Sequence, residues 1–101
     1  MIIDFHTHAF PNKLAPRAVV SLAERCGIAP LTDGTVDGLL ARLEEWETDR
    51  AVVANIATNA KQQDNVNAFA LEIFEKHGDR LSPLGSVNPD SDHWEETLRM
   101  L

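Results

Sequence analysis

Three short apolar runs alternate with longer stretches of helical periodicity, and this alternation narrows the possible folds more than any other feature of the chain. Ile2 to Phe5 forms the first run and is followed at once by His6, Thr7 and His8. The second lies in Arg50 to Ala57 and contains Ala51-Val52-Val53-Ala54 with Ile56. It is almost continuously apolar and too short for a free helix, the pattern of a strand covered on both faces in a parallel sheet. The third is Leu81 to Val87, with Pro83 near its start, where a missing N–H does least harm.

The intervening segments read as helices. Ala15, Ala18, Val19, Leu22, Ala23 and Cys26 recur at helical spacing, with Pro16 tolerable in a first turn and Gly27 placed to end the helix. Thr35 is positioned to cap a second helix carrying Val36, Leu39, Leu40, Leu43 and Trp46, whose solvated side holds Glu44, Glu45 and Glu47. Val66, Phe69, Ala70, Ile73 and Phe74 form the stripe of a third, with Lys76 and His77 in its last turn and Gly78 just beyond. Trp94, Leu98 and Leu101 begin a fourth, with Asp92 and Glu95 in its first turn. Leu101 is itself a stripe position without a polar cap, so the expectation is an element cut in mid-course.

Alternating strands and helices argue for parallel pairing with right-handed crossovers. A closed eight-unit barrel needs about 250 residues, and this chain has 101. The expected fold is therefore α/β: the three N-terminal βα units of a TIM (β/α)8 barrel, with parallel strands and outer helices, residues 1–101 forming one partial domain.

Composition limits the partners. The chain has 9 Lys and Arg against 16 Asp and Glu, a net charge of −7, and the basic residues are scattered singly along the sequence. Phosphate backbones and anionic lipid surfaces are therefore excluded as expected partners. No window approaches the length of a membrane span, and the N-terminus lacks the basic and apolar regions of a secretory signal. Cys26 is the only cysteine, so neither an internal disulfide nor a Cys-based zinc finger can form. It is expected to be a small buried hydrophobe on its helix face. A reducing cytoplasm is the expected location.

Chemistry concentrates at the end of the first run. Asp4, His6 and His8 share parity, so a regular strand projects all three from one face, successive ones about 6.6 Å apart along the strand. Barrels carry their active sites at this C-terminal end. Neutral imidazole is a common zinc ligand, and a catalytic zinc usually keeps three protein ligands plus an open position. His6 and His8 are thus candidate metal ligands, and Asp4, deeper in the strand, a supporting carboxylate that holds a histidine tautomer. A histidine pair at this spacing also arises by chance, but its place directly after an N-terminal apolar strand favours ligation. Asn55 and Asn88 follow the second and third strands and are candidate substrate-binding residues. Their alternative role, like that of Thr58 and Asn59, is turn and cap chemistry.

Ile2-Ile3-Asp4-Phe5-His6-Thr7-His8-Ala9-Phe10-Pro11 resembles the opening of the metal-dependent amidohydrolase superfamily, in particular its aminocarboxymuconate semialdehyde decarboxylase-like branch. Arg50-Ala51-Val52-Val53, the helix containing Asn65, Asn67 and Ala68, and Arg80 to Pro89 are similar to that branch in order and character. The His-Thr-His segment alone is specific. The resemblance implies a barrel whose divalent metal, commonly zinc, is held by the two first-strand histidines, a histidine from strand five and an aspartate from strand eight, while a further histidine handles the proton. Only His6 and His8 carry over. His77 ends a helix and His93 opens one, so neither replaces the other ligands, and no catalytic residue is assigned. The implied chemistry is a metal-activated water that hydrolyses a small carboxylate or amide substrate, or loss of carbon dioxide in decarboxylase-like members. The implied parent is an enzyme of which these residues are an N-terminal part, inactive alone, and a homodimer is compatible with it. Two alternatives stand beside this expectation: a phosphoesterase barrel that also opens Asp-x-His-x-His, and a non-enzymatic α/β module whose sheet edges pair with another copy.

Overall fold

The strand and helix order expected from periodicity is present in the computed structural model, which describes residues 1–101. Strand β1 (Ile3–Thr7) is followed by helices α1 (Ala15–Cys26) and α2 (Val36–Glu45) and strand β2 (Arg50–Val53). A single 3₁₀ turn (Ala60–Gln62) then leads directly into α3 (Gln63–His77), β3 (Leu81–Pro83) and α4 (Trp94–Met100). The three strands form one parallel sheet in the order β1-β2-β3.

The helix ends show their causes. Thr35 takes extended backbone and its hydroxyl accepts from the Gly38 N–H at 2.9 Å, as its position ahead of the apolar stripe requires. α1 ends at Gly27, which adopts the left-handed conformation at φ 66° and returns its N–H to Ala23 O. Gly78 differs from expectation. It follows α3 in right-handed geometry at φ −62°, so the chain leaves that helix without a left-handed cap.

Two strands are shorter than their apolar runs. β2 stops at Val53, because side chains of the following loop take over the pairing: Asn55 bonds the backbone of Ala9, and Ala57 N donates to Ser86 Oγ. β3 stops at Pro83, which closes the strand instead of opening it. Beyond it the Asn67 amide pairs with both Ser86 N and Ser86 O, replacing a neighbouring strand.

One face of the sheet carries the core. Ala51 and Val53 of β2 and Leu81 of β3 are buried against Leu39 and Leu43 of α2 and Ile73 of α3, with Ala9 closing one end. Arg50 and Val52 alternate with these and face the other way. The Arg50 guanidinium runs across that second face, donating to Asp79 O, Gly78 O and Ser82 Oγ. Only 14 of the 101 residues are buried, so the core is confined to the layer between the sheet and α2 and α3.

α1 stays largely outside that layer. Of its residues only Ala15 is buried, and Cys26 is exposed. The expectation of a buried thiol is therefore corrected: the stripe exists, but Cys26 is the helix's last residue and nothing packs over it. The whole of β1 up to His6 is likewise exposed, with Phe5 at 76%. No helix is long and apolar enough to cross a membrane.

Candidate metal centre

The register of β1 decides which side chains reach the candidate site. Asp4 pairs with Ala51 and Thr7 with Val53, so three steps along β1 match two along β2, and the ladder shifts between them. A register shift of this kind is a bulge and interrupts strict alternation. Beyond it, Thr7 lies beside Val53 on the core side and its hydroxyl donates to Val52 O at 2.8 Å. His6, on one side of Thr7, is exposed and His8, on the other, is half-buried, and neither belongs to the core cluster.

The two imidazoles approach each other. Their ring centroids are 5.0 Å apart and their planes meet at 68°, an edge-to-face arrangement closer than the rise between alternate residues of a strand. His8 also stacks on Phe10, with centroids 6.5 Å apart and planes 12° from parallel. Partial burial, and then the nearby His6, hold the His8 pKa below its ordinary 6.5, against hydrogen bonds to Asn55 and Ala54 that act the other way. The shift keeps the His8 ring neutral near pH 7, the form that donates a lone pair to a metal.

Asp4 does not join them. The parity counted from the sequence fails at the bulge, and its Oδ1 accepts from the His6 backbone N–H at 3.0 Å. It therefore steadies the backbone that carries His6 and makes no contact with a ring nitrogen. No group of three or more His, Cys, Asp or Glu side chains is arranged so that it could hold a metal ion. The residues present fit a divalent cation as two imidazole nitrogen donors, a partial set by the usual zinc count.

Both candidate substrate-binding amides are engaged with backbone. Asn55 Nδ2 donates to Ala9 O and its Oδ1 accepts from Ala9 N at 3.3 Å, tying the residue after His8 to the end of β2. Asn88 Nδ2 donates to Ala57 O at 3.2 Å, its Oδ1 accepts from Asp90 N at 3.0 Å, and its own N–H donates to Gln63 Oε1 at 2.8 Å. The two amides clamp the loops that leave the C-terminal ends of the strands.

Gln63 was not among the residues singled out by periodicity. It is fully buried, and its Nε2 donates to Thr97 Oγ1 at 2.9 Å and Ser91 Oγ at 3.3 Å while its Oε1 holds Asn88. His93 lies above this network at the N-cap of α4. Its Nε2 is 2.8 Å from Asp64 Oδ1 and its Nδ1 2.8 Å from Asp92 Oδ1, and these two carboxylates, Asp92 foremost, raise its pKa to about 9. Its side chain is thus an ion-paired tie between α3 and α4, a role its place in a first helical turn does not disclose. His77 ends α3 as expected.

Comparison of the chain with family models, curated proteins and solved structures finds no match.

Proposed function

We propose that residues 1–101 form the first three βα units of a (β/α)8 barrel of amidohydrolase type, with His6 and His8 as two ligands of a divalent metal, zinc first. The observation that carries this is the convergence of two imidazoles 5.0 Å apart, at the C-terminal end of β1 and outside the core cluster. In a barrel the C-terminal rim of the strands holds the active site. The exposed edge of β1 and the uncovered Phe5 suit a strand that pairs and packs with further units of the same kind.

A divalent cation bound between the histidines supplies Lewis acidity and lowers the pKa of a water towards neutrality. This chain's own residues prepare the place for it. Partial burial keeps the His8 imidazole neutral, Asn55 pins the backbone next to it, and Asp4 holds the His6 amide. Further ligands and the proton-transferring group are assigned to later strands. The substrate class is a small carboxylate or amide, with hydrolysis or loss of carbon dioxide as the outcome. A reducing cytoplasm, in which Cys26 remains a thiol, is the location that suits it.

Calorimetric titration of the metal-free chain with zinc at neutral pH tests the assignment. One site is expected, weakened at least about tenfold by His6→Gln or His8→Gln and unaffected by His77→Gln. Binding that survives both first-strand substitutions, or no binding at all, removes the basis for the proposal.

A further inference from the structure

A groove of about 580 Å³ lies between α1 and the segment that enters α3, with His8 and Asn55 at its strand end. Arg17, Ser21 and Arg25 occupy successive turns of α1 at i, i+4 and i+8 and form one wall. The opposite wall presents the neutral polar groups of Thr58, Gln62 and Asn65, and the floor is apolar, with Ile56, Val66 and Phe69. None of its 16 lining residues is acidic, although the chain carries 16 Asp and Glu in 101 residues. Arg42 and Arg80 are ion-paired and Arg50 is committed to carbonyls. Arg17 and Arg25, by contrast, are exposed and make no side-chain hydrogen bond or ion pair in the structure. Basic residues that look scattered in sequence thus converge on one face of one helix.

We propose that this groove binds an elongated small-molecule anion, a carboxylate or phosphate group on an apolar body, with Arg17 and Arg25 meeting the negative charge. Two guanidinium groups eight residues apart on a helix stand about 12 Å apart along its axis. A ligand spanning both carries a charge at each end, and a shorter one engages a single arginine while its body lies on Ile56 and Phe69. An arginine fork recognises carboxylate and phosphate oxygens alike, so these are one recognition chemistry. Without acidic residues in the lining, nothing offsets the charge of a cationic ligand, and a neutral one forgoes the charge-assisted bonds that an anion makes with the arginines. The inference stands on the charge and shape of the groove and does not require a metal at His6 and His8.

The test is an NMR titration of the full chain with phenylacetate, phenyl phosphate and neutral phenylacetamide, following the arginine Nε–Hε and backbone signals. Saturable shifts are expected at Arg17 or Arg25 together with Ile56 and Phe69. Both anions should bind about tenfold or more tightly than the amide, as charge-assisted hydrogen bonds require. The double substitution Arg17→Gln and Arg25→Gln should erase that preference, and Arg99→Gln on α4 should leave it intact. A stronger response to one anion than the other assigns the charged group within the proposal. Equal binding of anion and amide, shifts spread evenly over all arginines, or a preference that survives the double substitution overturns it. Zinc binding measured on the same double variant separates this outcome from that of the metal proposal, since the histidine pair is untouched.

Discussion

Replacing Gln63 by leucine should cost more stability than any surface change in this chain, because the residue is fully buried and its amide makes three hydrogen bonds. Two of its partners have other recourse. Ser91 Oγ also meets His93 Nδ1 at 3.2 Å, and Thr97 Oγ1 donates to His93 O at 3.2 Å. The Asn88 N–H has no alternative acceptor once Gln63 Oε1 is gone. An orphaned donor costs about 1–3 kcal/mol, and each lost hydrogen bond a further 0.5–1.5 kcal/mol when its partner is only partly re-satisfied. The sum is about 2–6 kcal/mol, a large share of the 5–15 kcal/mol typical of a folded domain.

Urea denaturation followed by circular dichroism measures this directly. With a slope of about 2 kcal/mol/M, the midpoint for Gln63→Leu should fall by about 1–3 M. Gln63→Glu keeps an acceptor for Asn88 and loses both donors, and it places a charge in a fully buried position. Burial raises that carboxyl's folded pKa, so this variant should gain stability as pH falls. In a Thr97→Val background the cost of Gln63→Leu should shrink by about 0.5–1 kcal/mol, because the shared bond is already absent. A midpoint shift near zero, or strict additivity of the two substitutions, refutes the assignment of the network as the tie between α3 and the chain leading into α4.

The His93 ion pairs should make stability pH-dependent. Because its folded pKa, raised to about 9 by Asp92 and Asp64, exceeds the ordinary 6.5, the contribution is fully present below that value and lost as pH rises through about 9. Urea midpoints between about pH 6 and pH 10 should therefore decline, and His93→Gln should flatten the decline. At the candidate metal centre, an NMR titration should place the His8 midpoint below 6.5, and His6→Ala should move it upward by removing the neighbouring charge. Gly34, at φ 83°, cannot take a Cβ without driving it into the Val19 side chain and to 3.3 Å from Ala15 O. Gly34→Ala should cost about 1–3 kcal/mol in a thermal melt. Gly27→Ala, at φ 66° with open space around it, should cost less, and the difference isolates the clash.

Local chemistry was legible in the sequence wherever the cause lies within a few residues. The Thr35 cap, the left-handed Gly27 and the run Ala51 to Val53 each have neighbours that determine them, and each is found where periodicity places it. Whether an apolar stripe is covered is a different question, because it depends on what packs over it. The stripe of α1 is present yet leaves Cys26 and Leu22 exposed. Pairing register is also non-local: the bulge in β1 exists only relative to β2, and it separates Asp4 from the histidines with which it shares parity. The long polar clamps escape periodicity for the same reason. Gln63 reaches Thr97 across 34 positions and Arg50 reaches Ser82 across 32, and neither side chain looks unusual in its own segment.

These clamps explain how so small a core can hold the strand ends in place. The apolar layer lies on one face of the sheet, between β2, β3, α2 and α3, and none of the histidine pair belongs to it. Positioning of the C-terminal rim falls instead to side-chain amides: Asn55 on Ala9, Asn67 on Ser86, and Gln63 with Asn88 on the chain entering α4. Amides suit this work because each offers donors and acceptors with no charge to desolvate. The separation has a physical consequence. Substitutions at His6 or His8 remove no core contact and leave every amide bond of the Gln63 network intact, so they should change metal affinity at nearly constant stability. Asn55 is the exception that links the two systems, since it bonds the buried backbone of Ala9, directly after His8, and its amide acts on the His8 pKa. Its loss should therefore lower stability and weaken the histidine pair together, and that joint effect distinguishes a residue that positions a ligand from one that merely lines the rim.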